Sequence, residues 1–319
     1  MFDWIILILE NTMRILLTGG AGFIGSWVSD YLIREGHEIM IVDNLSTGLV
    51  SNVPETAEFF ECDIRNKEPL ERIFREFKPE CVNHHAAQIN VRASVDDPVY
   101  DAEVNILGTL NLLELARLHK VGRFIFASSG GAIYGEPDSL PADENTPAVP
   151  ISPYGISKYS IEKYLHYYGR IYGLDYVSLR YANVYGPRQN PEGEAGVISI
   201  FCTKILNNEP CLIYGDGTQT RDYVFVSDVA EANLKSISGP AGIYNIGTGV
   251  KTSVNDLIAI IKKEASHEVK VKNSDPRPGE VQDIYLKCDH SSEILGWKPE
   301  FDINTGIKKT WNWFKSNKV

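Results

Sequence analysis

No run of Lys or Arg long enough to make a basic patch occurs in this chain, and that absence removes the usual footprint of a nucleic-acid-binding face. The balance is acidic, with 31 basic against 42 acidic residues and a formal net charge of −11. An acidic chain can still hold an anionic substrate, because a local cluster of arginines grips a diphosphate. No CxxC pair occurs among Cys62, Cys81, Cys202, Cys211 and Cys288, and the count is odd. A zinc site or a disulfide framework is therefore not expected, and reduced, mostly buried thiols in a cytoplasmic protein are. The apolar opening MFDWIILILE lacks a basic flank and a small-residue cleavage site, and it is too short to span a bilayer. Neither a leader nor a membrane anchor is expected. Met13 then opens MRILLTGGAGFIG, so residues 1–12 read as an upstream extension outside the fold. Internal repeats and low-complexity segments are also missing.

What is present suits a folded core: 43% hydrophobic and 23% charged residues. Short apolar runs alternate with amphipathic stretches. Strands are expected over 15–18, 38–42, 58–61, 81–83, 123–127 and 175–180, with helices over 25–34, 69–76, 100–119 and 153–172. That alternation predicts parallel βαβ units in a doubly wound α/β sheet. Runs such as FIFA, apolar at every position, suit strands covered on both faces. After Arg180 the rhythm breaks, and 186–196 is a Gly, Pro and Asn-rich loop. A first lobe of 13–180 plus 224–251 and a smaller α/β lobe of 181–223 plus 252–319 are expected.

The first strand runs into TGGAGFIG, residues 18–25, with glycines at 19, 22 and 25. Gly19 permits a tight turn, Gly22 lets the backbone approach a pyrophosphate, and Gly25 lets helix pack closely on strand. The helix that begins there offers free N–H groups and a positive dipole end to the anion. The first lobe is therefore expected to be a Rossmann-type dinucleotide-binding domain, and the second to bind substrate. Asp43 ends the second strand, where a carboxylate accepts bonds from ribose hydroxyls and repels a 2′-phosphate, so NAD is expected over NADP. Asp43 also suits a turn cap, since Asn44 and Ser46 follow. Asp63, after the third strand, suits either adenine contact or a helix cap.

Ser128 and Ser129 follow a buried strand, and Tyr154 and Lys158 share one helix face at i, i+4. An isolated tyrosine, with pKa about 10, is a poor base at neutral pH. A nearby ammonium favours its phenolate and brings it toward a useful acid–base range. A serine hydroxyl can bridge Tyr154 and a substrate hydroxyl. The adjacent His84 and His85 do not point the same way along a strand and lack a third ligand, so packing, not metal, is expected of them.

Together, TGGAGFIG, Asp43, SSGGAIYG, PYGISK, LRYANVYGPR, RDYVFVSDV and RPGE resemble the extended short-chain dehydrogenase/reductase family, in its nucleotide-sugar epimerase/dehydratase branch. The resemblance covers residues 13 to about 314. It implies Tyr154 as base, Lys158 as its electrostatic and ribose-binding partner, and Ser129 as the hydroxyl partner. It implies cofactor contacts from Gly19, Gly22, Phe23, Ile24 and Gly25 in the turn, from Asp43 and Asn44, from Asp63 and Ile64, from Ala86 and Ala87, and from Asn105. Ser129, Asn183, Arg221, Tyr223, Arg277 and Glu280 match positions that hold the nucleotide diphosphate or sugar; arginine's rigid fork suits a diphosphate on chemical grounds alone. The turn at 214–217 is expected beside the uracil.

The implied activity is 4-epimerisation of UDP-glucose and UDP-galactose, or a close UDP-hexose pair, through a 4-keto sugar. A 4,6-dehydratase or decarboxylase of the same family is the alternative. Such enzymes carry Glu, often with Asp, just after the catalytic Ser or Thr, where this chain has Gly130, Gly131 and Ala132. The chain also departs from the family in placing Gly130 four residues before Tyr134, where the catalytic hydroxyl usually stands; Ser128 therefore remains open beside Ser129. A homodimer through helices 100–119 and 153–172 is implied as well.

Overall fold

The computed structural model describes residues 12–192, 196–265, 268–276 and 281–317. All but Thr12 of the expected extension falls outside them, as do Arg277 and Glu280. Six strands alternate with helices: β1 (Arg14–Thr18), β2 (Glu38–Asp43), β3 (Glu58–Glu61), β4 (Cys81–His84), β5 (Arg123–Ser129) and β6 (Asp175–Tyr181). With Gly242–Ile246 they make a seven-stranded sheet in the order β3-β2-β1-β4-β5-β6 and then Gly242–Ile246. The pairings of β1 with β2 and β4, of β2 with β3 and of β4 with β5 are parallel. Thr18 pairs with Val42 on one side and His84 on the other, so the strand order reverses at β1 and β4. Ligands of doubly wound sheets bind at the carboxyl ends of the strands at such a switch point.

The sheet forms because its strands bury both faces. Ile15, Leu16, Leu17, Ile41, Val42, Phe124 and Ile125 have no exposed surface. Helix Lys67–Phe77 adds Leu70, Ile73, Phe74 and Phe77 to the apolar cluster that holds Leu16, Val42 and Phe124, at the spacing of one helix face. Helix Pro153–Tyr172 has the bounds expected, because its ends are chemically marked. The Ser152 hydroxyl accepts from the Gly155 N–H, Pro153 needs no N–H there, and Gly173 closes the last turn at φ 72°.

The expected helix over 100–119 is in three parts: Pro98–Ala102, a π-helical stretch Glu103–Gly108, and Thr109–Leu118. Hydrophobic spacing does not reveal an i→i+5 turn; its causes lie in tertiary partners. Asn105 is bound to the Gln88 backbone, and a Cβ on Gly108 would lie 2.7 Å from the Ile64 side chain.

The chain divides into two compact units. The first holds the residues up to Ser128, Ser152–Leu179 and Ala230–Ile243; the second holds Ser129–Ile151, Arg180–Val229 and the chain from Tyr244 on. In the second, Thr220–Phe225 pairs with Asn183–Tyr185, Lys251–Ser253 and Asp283–Ile284. Its core gathers Phe201, Phe225, Leu257, Ile261, Trp311 and Phe314. Among the described residues no helix is long and apolar enough to cross a membrane.

Candidate functional site

The glycine turn sits at the carboxyl end of β1, before helix Phe23–Arg34. Gly19 has φ +71°, and a Cβ there would lie 2.6 Å from the Ala86 nitrogen. A Cβ on Gly25 would collide with the Gly19 carbonyl oxygen. Both positions therefore exclude any side chain. Gly22 caps the helix and brings no side-chain acceptor, so Phe23, Ile24 and Gly25 open it with the positive end of the dipole exposed to the turn.

Asp43 is nearly buried. One carboxylate oxygen accepts from the Ala21 N–H at 3.0 Å, the other from the Leu45 N–H at 2.8 Å. Burial pushes its carboxyl up from the usual range, and these backbone donors oppose the shift. It thus ties the end of β2 to the glycine turn, and each oxygen keeps a further lone pair for another donor. Asn44 donates to Asp63 at 2.9 Å. Asp63 also receives the Nε of Arg65 at 3.0 Å and a terminal nitrogen at 2.9 Å, and these bonds pull its carboxyl down to about 2. Ile64 is buried in the core of this unit.

Past β4, Ala86 donates its N–H to the Thr18 hydroxyl at 3.3 Å, and Ala87 is half-buried. Asn105 accepts from the Gln88 N–H at 2.9 Å and donates to the Gln88 carbonyl at 2.8 Å, so it holds this loop by both backbone groups. His84 bonds Thr18 through Nδ1 at 2.6 Å and Thr109 through Nε2 at 2.8 Å. Burial holds its pKa far below the usual value, which makes it a neutral core residue. Among the described residues, no three His, Cys, Asp or Glu side chains group as metal ligands.

On helix Pro153–Tyr172, Lys158 is buried and donates to the Ala127 carbonyl at 2.9 Å. Its ammonium lies 5.8 Å from the centre of the Tyr154 ring and 4.9 Å from that of Phe126. Burial pushes Lys158 down to about 8, with Asp101 opposing, so it remains cationic at neutral pH. The Tyr154 N–H donates to the Ser94 hydroxyl at 3.2 Å. Ser128 donates to Glu162 at 2.7 Å, and Glu162 also accepts from Ser178 at 3.0 Å.

In the second unit, Ser129 opens the short helix Gly130–Ile133 and makes no cap bond to it. A Cβ on Gly131 would lie 3.5 Å from the Asn183 amide oxygen and 4.0 Å from the Ser129 hydroxyl, so those two groups border one corner. A Cβ on Gly130 would lie 2.6 Å from a Leu286 methyl, which leaves no room for a side chain. Half-buried Arg221 donates to the Thr220 carbonyl at 2.8 Å. Tyr223 is buried, edge-on to Tyr185 with ring centres 6.3 Å apart. The turn at 214–217 has Gly215 and Gly217 at φ +70° and +78°.

Among the described residues, four buried carboxylates escaped the sequence reading: Asp101, Glu162, Asp222 and Asp228. Asp222 accepts from the Thr248 hydroxyl and N–H, the Gly249 N–H and the Leu286 N–H, so it pins two other segments to the strand that carries Arg221 and Tyr223. The available signals were spacing: Glu162 lies four residues after Lys158, Asp101 four before Asn105.

Residues 15–247 match the family described as NAD dependent epimerase/dehydratase. UDP-glucose 4-epimerase of Mycolicibacterium smegmatis is 43% identical over 312 residues, 95% of this chain and 99% of that protein. The crystal structure of UDP-glucose 4-epimerase of Thermotoga maritima with UDP-glucose has a TM-score of 0.93 at 47% identity, covering 96% of this chain and 100% of that one. The same enzyme of Thermus thermophilus, in complex with NAD, has a TM-score of 0.92 at 46% identity, covering 96% and 100%. Motif, fold and likeness over nearly the whole length agree, and the chain belongs to the NAD-dependent epimerase/dehydratase family.

Proposed function

We infer that this chain is an NAD-dependent isomerase, a 4-epimerase that interconverts UDP-glucose and UDP-galactose. The observation that carries the reading is the buried Lys158 ammonium beside the Tyr154 ring, in a chain so similar to such epimerases. The residues present fit the cofactor. The side-chain-free turn at Gly19, Gly22 and Gly25, with Phe23 and Ile24, would hold the pyrophosphate. Asp43 and Asn44 would hold the adenosine ribose, Asp63 and Ile64 the adenine, and Ala86, Ala87 and Asn105 would border the nicotinamide half. When bound, NAD supplies the acceptor for the sugar's C4 hydrogen and returns it.

Tyr154 takes the C4 hydroxyl proton while the C4 hydrogen leaves as hydride, and gives the proton back after the 4-keto sugar has turned over. Lys158 keeps Tyr154 acidic enough to do both. Ser129, not Ser128, is the bridging hydroxyl, because the Ser128 proton is already committed to Glu162. Asn183, Arg221, Tyr223, Arg277 and Glu280 hold the UDP-sugar. Oxidation and its reversal need one acid–base group. Loss of water or carbon dioxide needs more, and neither Gly130 nor Gly131 offers one.

The enzyme assembles as a C2 homodimer in the cytoplasm. Tyr100, Leu107, Ile156, Tyr164, Tyr167 and Ile171 are 39–59% exposed on the two helical stretches expected to pair, more apolar surface than a lone helix face usually shows water. Tyr154→Phe tests the chemistry: turnover of UDP-galactose should fall at least about 100-fold, the scale of a lost general base. Wild-type turnover without Tyr154 would overturn the assignment.

A further inference from the structure

Asp101 is fully buried. One of its oxygens accepts from Asn105 Nδ2 at 2.9 Å and Gln88 Nε2 at 3.0 Å; the other accepts from Ser157 Oγ at 2.6 Å. These donors come from the π-helical stretch, from the segment after β4 and from helix Pro153–Tyr172. All three are neutral. A buried carboxylate is costly without a positive charge to face.

Both halves of the catalytic pair trace back to this carboxylate. Ser157 is the residue before Lys158. On the other side, Gln88 accepts from the Asn90 N–H, and Asn90 caps helix Val91–Asp96. That helix carries Ser94, which receives the Tyr154 N–H. We propose that Asp101 is the positioning residue of the Tyr154–Lys158 pair: its carboxylate orders the segments on which both stand, through Ser157 next to Lys158 and through Gln88 and Asn90 to the helix whose Ser94 receives the Tyr154 N–H. The inference rests on the proposed roles of Tyr154 and Lys158.

The electrostatics agree with the geometry. Burial lowers Lys158, and Asp101 is the charge that raises it. His84 and His85 also interact electrostatically with Lys158 and are held neutral by burial, His85 down to about 3; Tyr154 and the buried Glu162 stand on its own helix, one turn to either side. Without Asp101, Lys158 loses its proton at lower pH, and Tyr154 loses its cation over the neutral range.

The test follows Lys158 by NMR of protein labelled with ε-13C lysine, where a titration near pH 8 stands apart from ordinary lysines and vanishes in Lys158→Met. In Asp101→Asn the midpoint should fall by about one pH unit or more, the usual effect of a nearby opposite charge. The alkaline limb of kcat should move down with it while KM for UDP-galactose stays within about two-fold, since binding lies elsewhere. Gln88→Leu, which cuts the link to Asn90 and keeps the charge, should lower kcat about ten-fold or more by misplacing Tyr154, with the Lys158 midpoint unmoved. An unshifted midpoint in Asp101→Asn, a rate loss equal at every pH, or wild-type kcat in Gln88→Leu would overturn the proposal. If Asp101→Asn does not fold, Asp101→Asn/Lys158→Met should, because both charges leave together; failure of both also overturns it. Wild-type activity in Tyr154→Phe would instead remove the underlying reading.

Discussion

Two adjacent serines separate stability from catalysis. Ser128→Ala deletes a buried donor to Glu162, which keeps Ser178 as a partner. Losing a hydrogen bond to a charged group costs about 1.5–3 kcal/mol. At about 2–4 °C per kcal/mol for a domain of this size, Tm should drop by roughly 3–12 °C. Turnover per folded enzyme should stay within about three-fold if, as proposed, Ser129 and not Ser128 meets the substrate. Ser129→Ala deletes a hydroxyl that makes no bond to its own helix, so stability should change by no more than about 0.5 kcal/mol. On the proposed role of Ser129 it also removes the donor to the C4 oxygen, and kcat should fall about 100-fold or more. Calorimetry and a coupled assay converting UDP-galactose to UDP-glucose read the two quantities separately. The reverse pattern, an active Ser129→Ala and a stable but inactive Ser128→Ala, would refute the reasoning and make Ser128 the catalytic hydroxyl.

Further outcomes follow from other positions. Gly25→Ala drives a methyl into the Gly19 carbonyl oxygen; the protein should lose about 1–3 kcal/mol of stability and purify without NAD, and retention of the cofactor would contradict the turn's role. Asp43→Ala should weaken NAD binding and relax the discrimination against NADP, which competition between the two cofactors measures; unchanged preference would leave Asp43 a turn cap alone. The alkaline limb of kcat should have an apparent pKa of about 8, where Lys158 loses its proton, and a profile flat to pH 10 would contradict it. Ile171→Glu, on an exposed apolar face far along the helix from Tyr154, should shift light scattering from dimer to monomer at micromolar concentration; a wild-type monomer would remove the proposed interface.

What could be read from the chain alone was whatever depends on neighbours in sequence. The glycine turn is recognisable because Gly19 takes a positive φ and Gly25 is short of space within one strand–turn–helix unit, and the ends of helix Pro153–Tyr172 are marked by Ser152, Pro153 and Gly173. Six strands of the sheet follow from the alternation of apolar strands and helices; the seventh, Gly242–Ile246, lies beyond the point where that rhythm breaks and was not read as a strand. The π-helical turn at Glu103–Gly108 was not readable, because it answers to Gln88 and Ile64 far away in sequence. For the same reason the buried carboxylates were missed: Asp101 is explained by Gln88 and Ser157, and Asp222 by Thr248, Gly249 and Leu286. Ser128 and Ser129 look alike until Glu162 takes one of them.

The central claim, reversible hydride removal at C4 with Tyr154 as the sole acid–base group, is tested most directly by isotope retention. UDP-glucose carrying deuterium at C4, incubated with the purified enzyme and followed by NMR and mass spectrometry, should yield UDP-galactose of unchanged mass with the deuterium still at C4 and no net NADH. Loss of water or carbon dioxide, or exchange of the label with solvent, would contradict the account.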